Sequence, residues 1–331
     1  MSYQGYKDTV DKTLFSEMKP EEEKLLPIPD GASHEWSETS MFGFNIPEEG
    51  IDCIIYFWHR PVMNISFGGI MIWKGKNTNQ VECIYSDYRS AMPMPKDITD
   101  CTYANGVTVK MIEPMSEFQI GFEDSACDVK LDLHLKAIMP PACRYNGGHI
   151  TQAMKTSGTL LLRGKRYTIN GFHTRDRSWN EYRQEYPLKV PPLHWDVGIV
   201  DETFAFHHLS YDDPAYHPEW KGKVPEINNT CLWGYVYENG QLHGVVSTRQ
   251  RTDYEPGGTV PIHIETTLTA SNGKSYEIVG RPLASTQVQS WPNMCSHFVL
   301  MEWSVDGRIA YGDVQSGLFH DSFRLLTGKE D

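Results

Sequence analysis

The sequence holds no C-x-x-C pair, no G-x-S-x-G elbow and no apolar run of membrane-spanning length. Each absence removes a class of protein. Seven cysteines, at 53, 83, 101, 127, 143, 231 and 295, without C-x-x-C spacing signal neither a zinc ribbon nor a thioredoxin-type centre. The missing nucleophile elbow argues against an α/β-type serine hydrolase. The longest strand-like apolar run, Cys53 to Trp58, ends at His59-Arg60, far short of the roughly 20 residues of a spanning helix. Positive charge is scarce: 30 Lys and Arg stand against 43 Asp and Glu, a net charge of −13. That balance disfavours nucleic acid and anionic membrane surfaces as partners. Gly68-Gly69 and Gly147-Gly148 lie in no strand-to-helix phosphate context. The start, Met1 to Asp8, has neither the basic head nor the apolar centre of a secretory leader. These absences predict a soluble, cytoplasmic chain with free, mostly buried cysteines and no stable membrane insertion.

What is present is a β pattern. Hydrophobic content of 40% with 12% aromatic residues describes a globular chain, and 331 residues suffice for two modest domains. Residues 1–32 are polar, with an acidic run at Glu21-Glu22-Glu23 and a stop at Leu25-Leu26-Pro27-Ile28-Pro29, and read as an arm carrying one short helix. Strand signals then follow one another, with turn residues about every ten positions. Val129, Leu131, Leu133 and Leu135 alternate with Lys130, Asp132, His134 and Lys136, as in a sheet with one buried and one wet face. Tyr186-Pro187-Leu188-Lys189-Val190-Pro191-Pro192 reads as a linker. It divides a first β domain, 33–187, from a second, 188–331, where Asn239-Gly240 and Asp306-Gly307 mark hairpins. No long helical period competes. The fold class is all-β and antiparallel, barrel or sandwich.

One segment concentrates chemistry: Gly171-Phe172-His173-Thr174-Arg175-Asp176-Arg177-Ser178-Trp179-Asn180-Glu181-Tyr182-Arg183. On an extended strand Phe172, Thr174, Asp176 and Ser178 share one face, and His173, Arg175, Arg177 and Trp179 the other. A carboxyl set among small polar groups, with the arginines turned away, can serve as a general acid or base. An ion pair of Asp176 with Arg183, locking a corner, is the alternative, and the residues alone leave both open. A second constellation is His194-Trp195-Asp196 with His207-His208, where His194 and Asp196 share a strand face as an acid/base pair. Adjacent His207 and His208 point opposite ways, so ordinary strand histidines are expected and no metal site. His217, on a loop, is expected to be solvated.

The run Ser157-Gly158-Thr159-Leu160, Gly164-Lys165-Arg166-Tyr167 and then Gly171-Phe172-His173-Thr174-Arg175-Asp176-Arg177-Ser178-Trp179 resembles the central motif of the tandem lipocalin-like family. That family includes carotenoid 1,2-hydratase (hydroxyneurosporene synthase) and AttH-type proteins, and is related to lipocalin-like Diels–Alderases and kievitone-type hydratases. Its motif ends Gly-aromatic-x-x-Asp-His-x-Trp-Gly; here Arg177 replaces the His and Asn180 the final Gly. His194-Trp195-Asp196-Val197-Gly198 is similar to the family's Gly-Trp-x-Trp strand. The resemblance implies two tandem lipocalin-like antiparallel β-barrels with a pocket near their junction. It implies cofactor-free chemistry on a hydrophobic alkene, terpenoid or aromatic-terpenoid molecule: a hydratase/dehydratase or isomerase. Asp176 would be the acid/base, with His173 and His194 as further proton carriers. Trp179, Tyr182, Trp195, Arg175 and Phe172 would line the substrate. A non-catalytic carrier of a hydrophobic ligand and a Diels–Alderase-type cyclase are the rival readings.

Overall fold

A computed structural model describes residues 14–182, 190–225, 227, 229–291 and 294–329, with the backbone alone for 180–182 and 289–291. The chain divides into two compact units, 1–46, 52–72 and 85–184 against 47–51, 73–84 and 185–331. The 187/188 boundary expected from the linker lies outside the described residues.

The first unit is built on strands β1 (Phe15–Ser16), β2 (Trp36–Ile46), β3 (Ile51–Arg60), β4 (Ile65–Lys74), β5 (Tyr85–Pro93), β6 (Asp100–Thr102), β7 (Thr108–Glu113), β8 (Glu117–Asp124), β9 (Val129–Ala137), β10 (Ala142–Arg144), β11 (His149–Leu162) and β12 (Lys165–Tyr182). They form one twelve-stranded sheet in the order β5-β4-β3-β2-β12-β11-β9-β8-β7-β6, with β10 and β1 added beside β11. This first of the two expected lipocalin-like barrels is a curled half-barrel sheet with two edges. Side chains tie β5 to the far end of the sheet: Tyr85 Oη donates to Asp124 at 2.9 Å, and Asn105 Nδ2 donates to the Asp87 carbonyl at 3.2 Å. In β9 Val129, Leu131, Leu133 and Leu135 are buried while Lys130, Asp132 and Lys136 are exposed, as the alternation requires.

Residues 14–32 are less free than an arm. Phe15–Ser16 pairs with β10, Pro20–Glu23 forms a 3-10 turn, and Met18 and Glu23 are buried.

The second unit is a closed eight-stranded barrel of β13 (Leu193–Asp201), β14 (Phe204–Tyr211), β15 (Cys231–Glu238), β16 (Gln241–Tyr254), β17 (Pro261–Ala270), β18 (Ser275–Trp291), β19 (Met294–Val305) and β20 (Arg308–Phe319). A short helix, α1 (His320–Thr327), follows. Phe204, Phe206, Leu268, Ile278, Met301 and Trp303 belong to its apolar core. Two glycines make room for the largest rings: a Cβ on Gly198 would meet Phe206 at 2.2 Å, and one on Gly280 would meet Trp303 at 2.4 Å. The cysteines are all free, but only Cys53 and Cys143 are buried and Cys127 is exposed, against the expectation of mostly buried thiols. No helix of the described chain is long and apolar enough to cross a membrane.

Candidate functional site

The site is set by a hairpin. Arg163 (φ 49°) and Gly164 (φ 82°) both take left-handed backbone, the combination a two-residue turn between twisted strands demands. From Leu162–Lys165 the β11–β12 register runs without a shift to His149–Ser178. It places Thr151 opposite Asp176 and His149 opposite Ser178, while on the other side β2 sets Met41 opposite Asp176 and Thr39 opposite Ser178. Directly paired residues share a face, so Asp176 stands amid His149, Thr151, Thr174, Ser178, Thr39 and Met41. This is the sheet's outer face. It is exposed at Lys155 and Thr159 but closed over at Thr151 and Ala153.

His149 Nε2 lies 3.3 Å from Asp176 Oδ2, and its Nδ1 lies 2.8 Å from Ser178 Oγ. Thr151 Oγ1 also approaches Nε2, at 3.3 Å. The side chains of His149 and Asp176 retain 17% and 11% exposure. An imidazole between a carboxyl and a hydroxyl can take up a proton at one nitrogen and return it at the other.

The remaining motif residues do not join this group. Phe172 is half-buried on the Asp176 face, with its carbonyl accepting from Asn45 Nδ2 at 3.1 Å. His173, Arg175 and Trp179 point to the inner face. Arg175 donates to both Glu23 oxygens at 2.9 and 2.7 Å and to Gln152 at 2.6 Å, with its guanidinium over the Phe118 ring. Arg177 pairs with Glu38 at 2.6 Å and donates to the carbonyls of Glu22 and Lys24. Trp179 packs with Met18, Met115, Cys143 and Ile150. His173 Nδ1 meets the Thr174 carbonyl at 2.9 Å, and its ring occupies the space a Cβ on Gly43 would fill, 2.3 Å away. The Tyr182 side chain and Arg183 lie outside the described residues.

In the closed barrel His194 and Trp195 point to opposite faces of β13. Trp195 lies against His207, ring centres 4.8 Å apart. His194 belongs to a polar cluster that is buried except for the half-buried Tyr254. Its Nε2 lies 3.3 Å from Asp212 Oδ2 and 3.0 Å from Tyr254 Oη, and Asp212 accepts from Tyr254 at 2.6 Å and Thr252 at 2.7 Å. Asp196 approaches His194 Nδ1 at 3.9 Å and His208 Nε2 at 3.7 Å, both beyond hydrogen-bond distance. Burial pushes the Asp196 carboxyl up to about 7, against the pull of His194 and with the charge of Asp212 adding to the rise. Burial opposes the His194 cation, but Asp212, and then Asp196, outweigh it and raise that imidazole. Burial and the neighbouring His194 drive His208 down to about 3. The two imidazoles meet different Asp196 oxygens, and no three ligand atoms of this cluster lie within 4.8 Å of one another. His217, expected in solvent, is instead buried and stacked on Trp220 at 3.8 Å.

Sequence reasoning placed Ser178 on the Asp176 face but missed His149, which meets Asp176, and Thr151, which meets His149. Counting outward from the Arg163-Gly164 turn would have found the two β11 residues. Asp212 follows the end of the adjacent strand β14, where the β13–β14 register sets Ser210 opposite His194, so that hairpin pairing would have found it; Tyr254, on β16, carries no such signal.

A family model described as a domain of unknown function (DUF7064) matches residues 22–317. The sequence matches no curated protein. Among solved structures, CghA is 12% identical, with 95% of this chain and 98% of that one covered and a TM-score of 0.54. Kievitone hydratase from Nectria haematococca is 14% identical, covering 89% and 94%, with a TM-score of 0.51. A putative AttH from Nitrosomonas europaea is 13% identical, covering 91% and 98%, with a TM-score of 0.50. At these identities the likeness, which extends along nearly the whole chain, is one of fold alone.

Proposed function

Since this chain belongs to the DUF7064 family, a domain of unknown function, its chemistry has to be read from its own site, and we propose that it is a cofactor-independent hydratase/dehydratase for a hydrophobic alkene-bearing small molecule. The observation that carries the reading is the His149–Asp176 pair at 3.3 Å on a partly open face, backed by Ser178. A substrate must touch the group that protonates it. His149 and Asp176 keep some exposure, whereas His194 and Asp196 have none. In the hydration direction the Asp176 carboxyl gives its proton to one alkene carbon. Water adds to the neighbouring cationic carbon, and the proton that water sheds passes to His149. His149 then returns it to Asp176, closing the cycle without a cofactor. Dehydration is the same path reversed. The name of the structurally similar kievitone hydratase supports the reaction class.

Turnover in 18O-labelled water, followed by mass spectrometry across terpenoid and prenylated phenolic alkenes and alcohols, tests this. Wild type should incorporate label, and Asp176→Asn should lose it by about 10²–10⁴-fold. Undiminished incorporation by the variant would remove Asp176 from the chemistry. Binding without product in either protein would support a carrier of hydrophobic ligands instead.

A further inference from the structure

The proton cycle asks two things of His149: a ring nitrogen ready to take a proton, and a path from that nitrogen to Asp176. A neutral imidazole carries one N–H, on Nδ1 or on Nε2, and the partner of each nitrogen decides which. With the proton on Nε2, His149 donates to Asp176 Oδ2. That favours the ionised carboxylate and disarms the acid. With the proton on Nδ1, Nε2 turns a lone pair toward Asp176, whose carboxyl can then keep a proton and give it. The choice falls to the group that meets Nδ1.

That group is Ser178. Its Oγ lies 2.8 Å from Nδ1, whereas Nε2 is approached by Asp176 Oδ2 and Thr151 Oγ1, each at 3.3 Å. The β-ladder sets this contact, because His149 and Ser178 are directly paired. Backbone bonds hold it on both strands: the Trp179 N–H donates to the Gly148 carbonyl at 2.8 Å, and Arg177 Nη1 donates to the Ser178 carbonyl at 3.1 Å. Ser178 is 2% exposed, so it acts through His149 and not on a substrate. We infer that Ser178 is a positioning residue whose Oγ accepts from Nδ1–H and holds His149 in the Nδ1–H tautomer. This rests on the Asp176 reading and deepens it, because proton uptake and return both fall to Nε2. The proton shed by the adding water bonds to the Nε2 lone pair and makes an imidazolium. The same proton then passes from Nε2 to the Asp176 carboxylate. Nδ1 keeps its own proton throughout. In the resting ring the Thr151 hydroxyl is placed to donate to the Nε2 lone pair.

The first test needs no substrate. The full chain is labelled with 15N at histidine, and the His149 signals are assigned by their loss in His149→Gln. Long-range 1H–15N correlation at a pH where the ring is neutral then tells a protonated ring nitrogen from a bare one. Wild type should carry its proton on Nδ1. Ser178→Ala should move it to Nε2, and Ser178→Thr, which restores a hydroxyl, should return it to Nδ1. In the labelled-water assay Ser178→Ala should lower kcat by about 10–100-fold with KM within about twofold, and Ser178→Thr should recover most of the loss. A wild-type ring protonated on Nε2 overturns the inference, whatever the variants do to folding. So does a Ser178→Ala ring that stays protonated on Nδ1. Normal turnover by Asp176→Asn ends the hydratase reading instead and leaves the tautomer result intact.

Discussion

The inner face of the curled sheet and the interior of the closed barrel both bury charge, and they handle it in opposite ways. In the sheet the two described arginines of the motif are matched: Arg175 by both oxygens of Glu23, Arg177 by Glu38. In the barrel Asp212 receives donors from Thr252 and Tyr254, whereas Asp196 meets His194 and His208 only beyond hydrogen-bond distance. A fully matched buried pair acts as structure. A desolvated carboxyl such as Asp196, where burial outweighs the pull of His194 and Gln250, holds its proton to higher pH instead. The group proposed to meet the substrate, Asp176, lies on the sheet's other face.

The first way to break the comparison is to remove one partner from the sheet's pair. Glu23→Leu leaves the Arg175 guanidinium buried with only Gln152 beside it. Breaking a buried pair in this way costs about 3–5 kcal/mol, to be read as a lower denaturation midpoint at unchanged slope. Glu23→Leu with Arg175→Met replaces both charges by apolar groups and should recover most of the loss. A near-neutral single variant would mean that the N-terminal segment does not seat Glu23 inside the sheet.

The second concerns the barrel. Asp196 titrates at 3.8 when unperturbed and at about 7 in the fold. Between those values the folded state holds a proton that the unfolded chain has released. Its contribution is therefore fully present below pH 3.8 and is lost as pH rises through 7. His194, also raised, acts in the same sense. His208, lowered to about 3, acts the other way and weakens the fold as pH falls below 6.5. Asp196→Asn keeps the shape and cannot ionise. Its stability relative to wild type should climb by about 2–4 kcal/mol between pH 4 and 8. Denaturant midpoints across that range give the difference curve. Parallel curves would show that Asp196 stays ionised throughout.

Much of this arrangement is legible in the chain. The strict alternation of Val129 to Ala137 gives the sheet its two faces, and the same period separates Asp176 from the arginines. What alternation cannot supply is which face is the inner one. Trp179 and Arg175, read as substrate-lining, turn out to share the core side with Met18 and Glu23. Those two partners sit more than a hundred residues earlier, in a stretch whose acidic composition suggests only a solvated arm. The His194–Asp196 pairing follows from strand period alone and Asp212 from the β13–β14 hairpin, but Tyr254 reaches the cluster from β16, which depends on how the barrel's strands are staggered.

The smallest predicted effect tests the device that aligns the proposed His149–Asp176 pair. His149 and Asp176 lie far up the β11–β12 hairpin, and only an unshifted register puts them on one face. A slip of one residue would turn one partner inward. Gly164, at φ 82°, has open surroundings: the nearest atom to an added Cβ would be Asp128 Oδ2, 3.6 Å away. Gly164→Ala therefore meets backbone strain and no clash, and should cost about 1 kcal/mol. The long ladder beyond the turn outweighs so small a penalty, so turnover should stay within about twofold of wild type while the melting temperature falls by a few degrees. If turnover collapses at nearly unchanged stability, the turn alone holds the register. The sheet's matched inner face, with Arg175 and Arg177 anchored on Glu23 and Glu38, would then contribute less to fixing the outer one than its geometry implies.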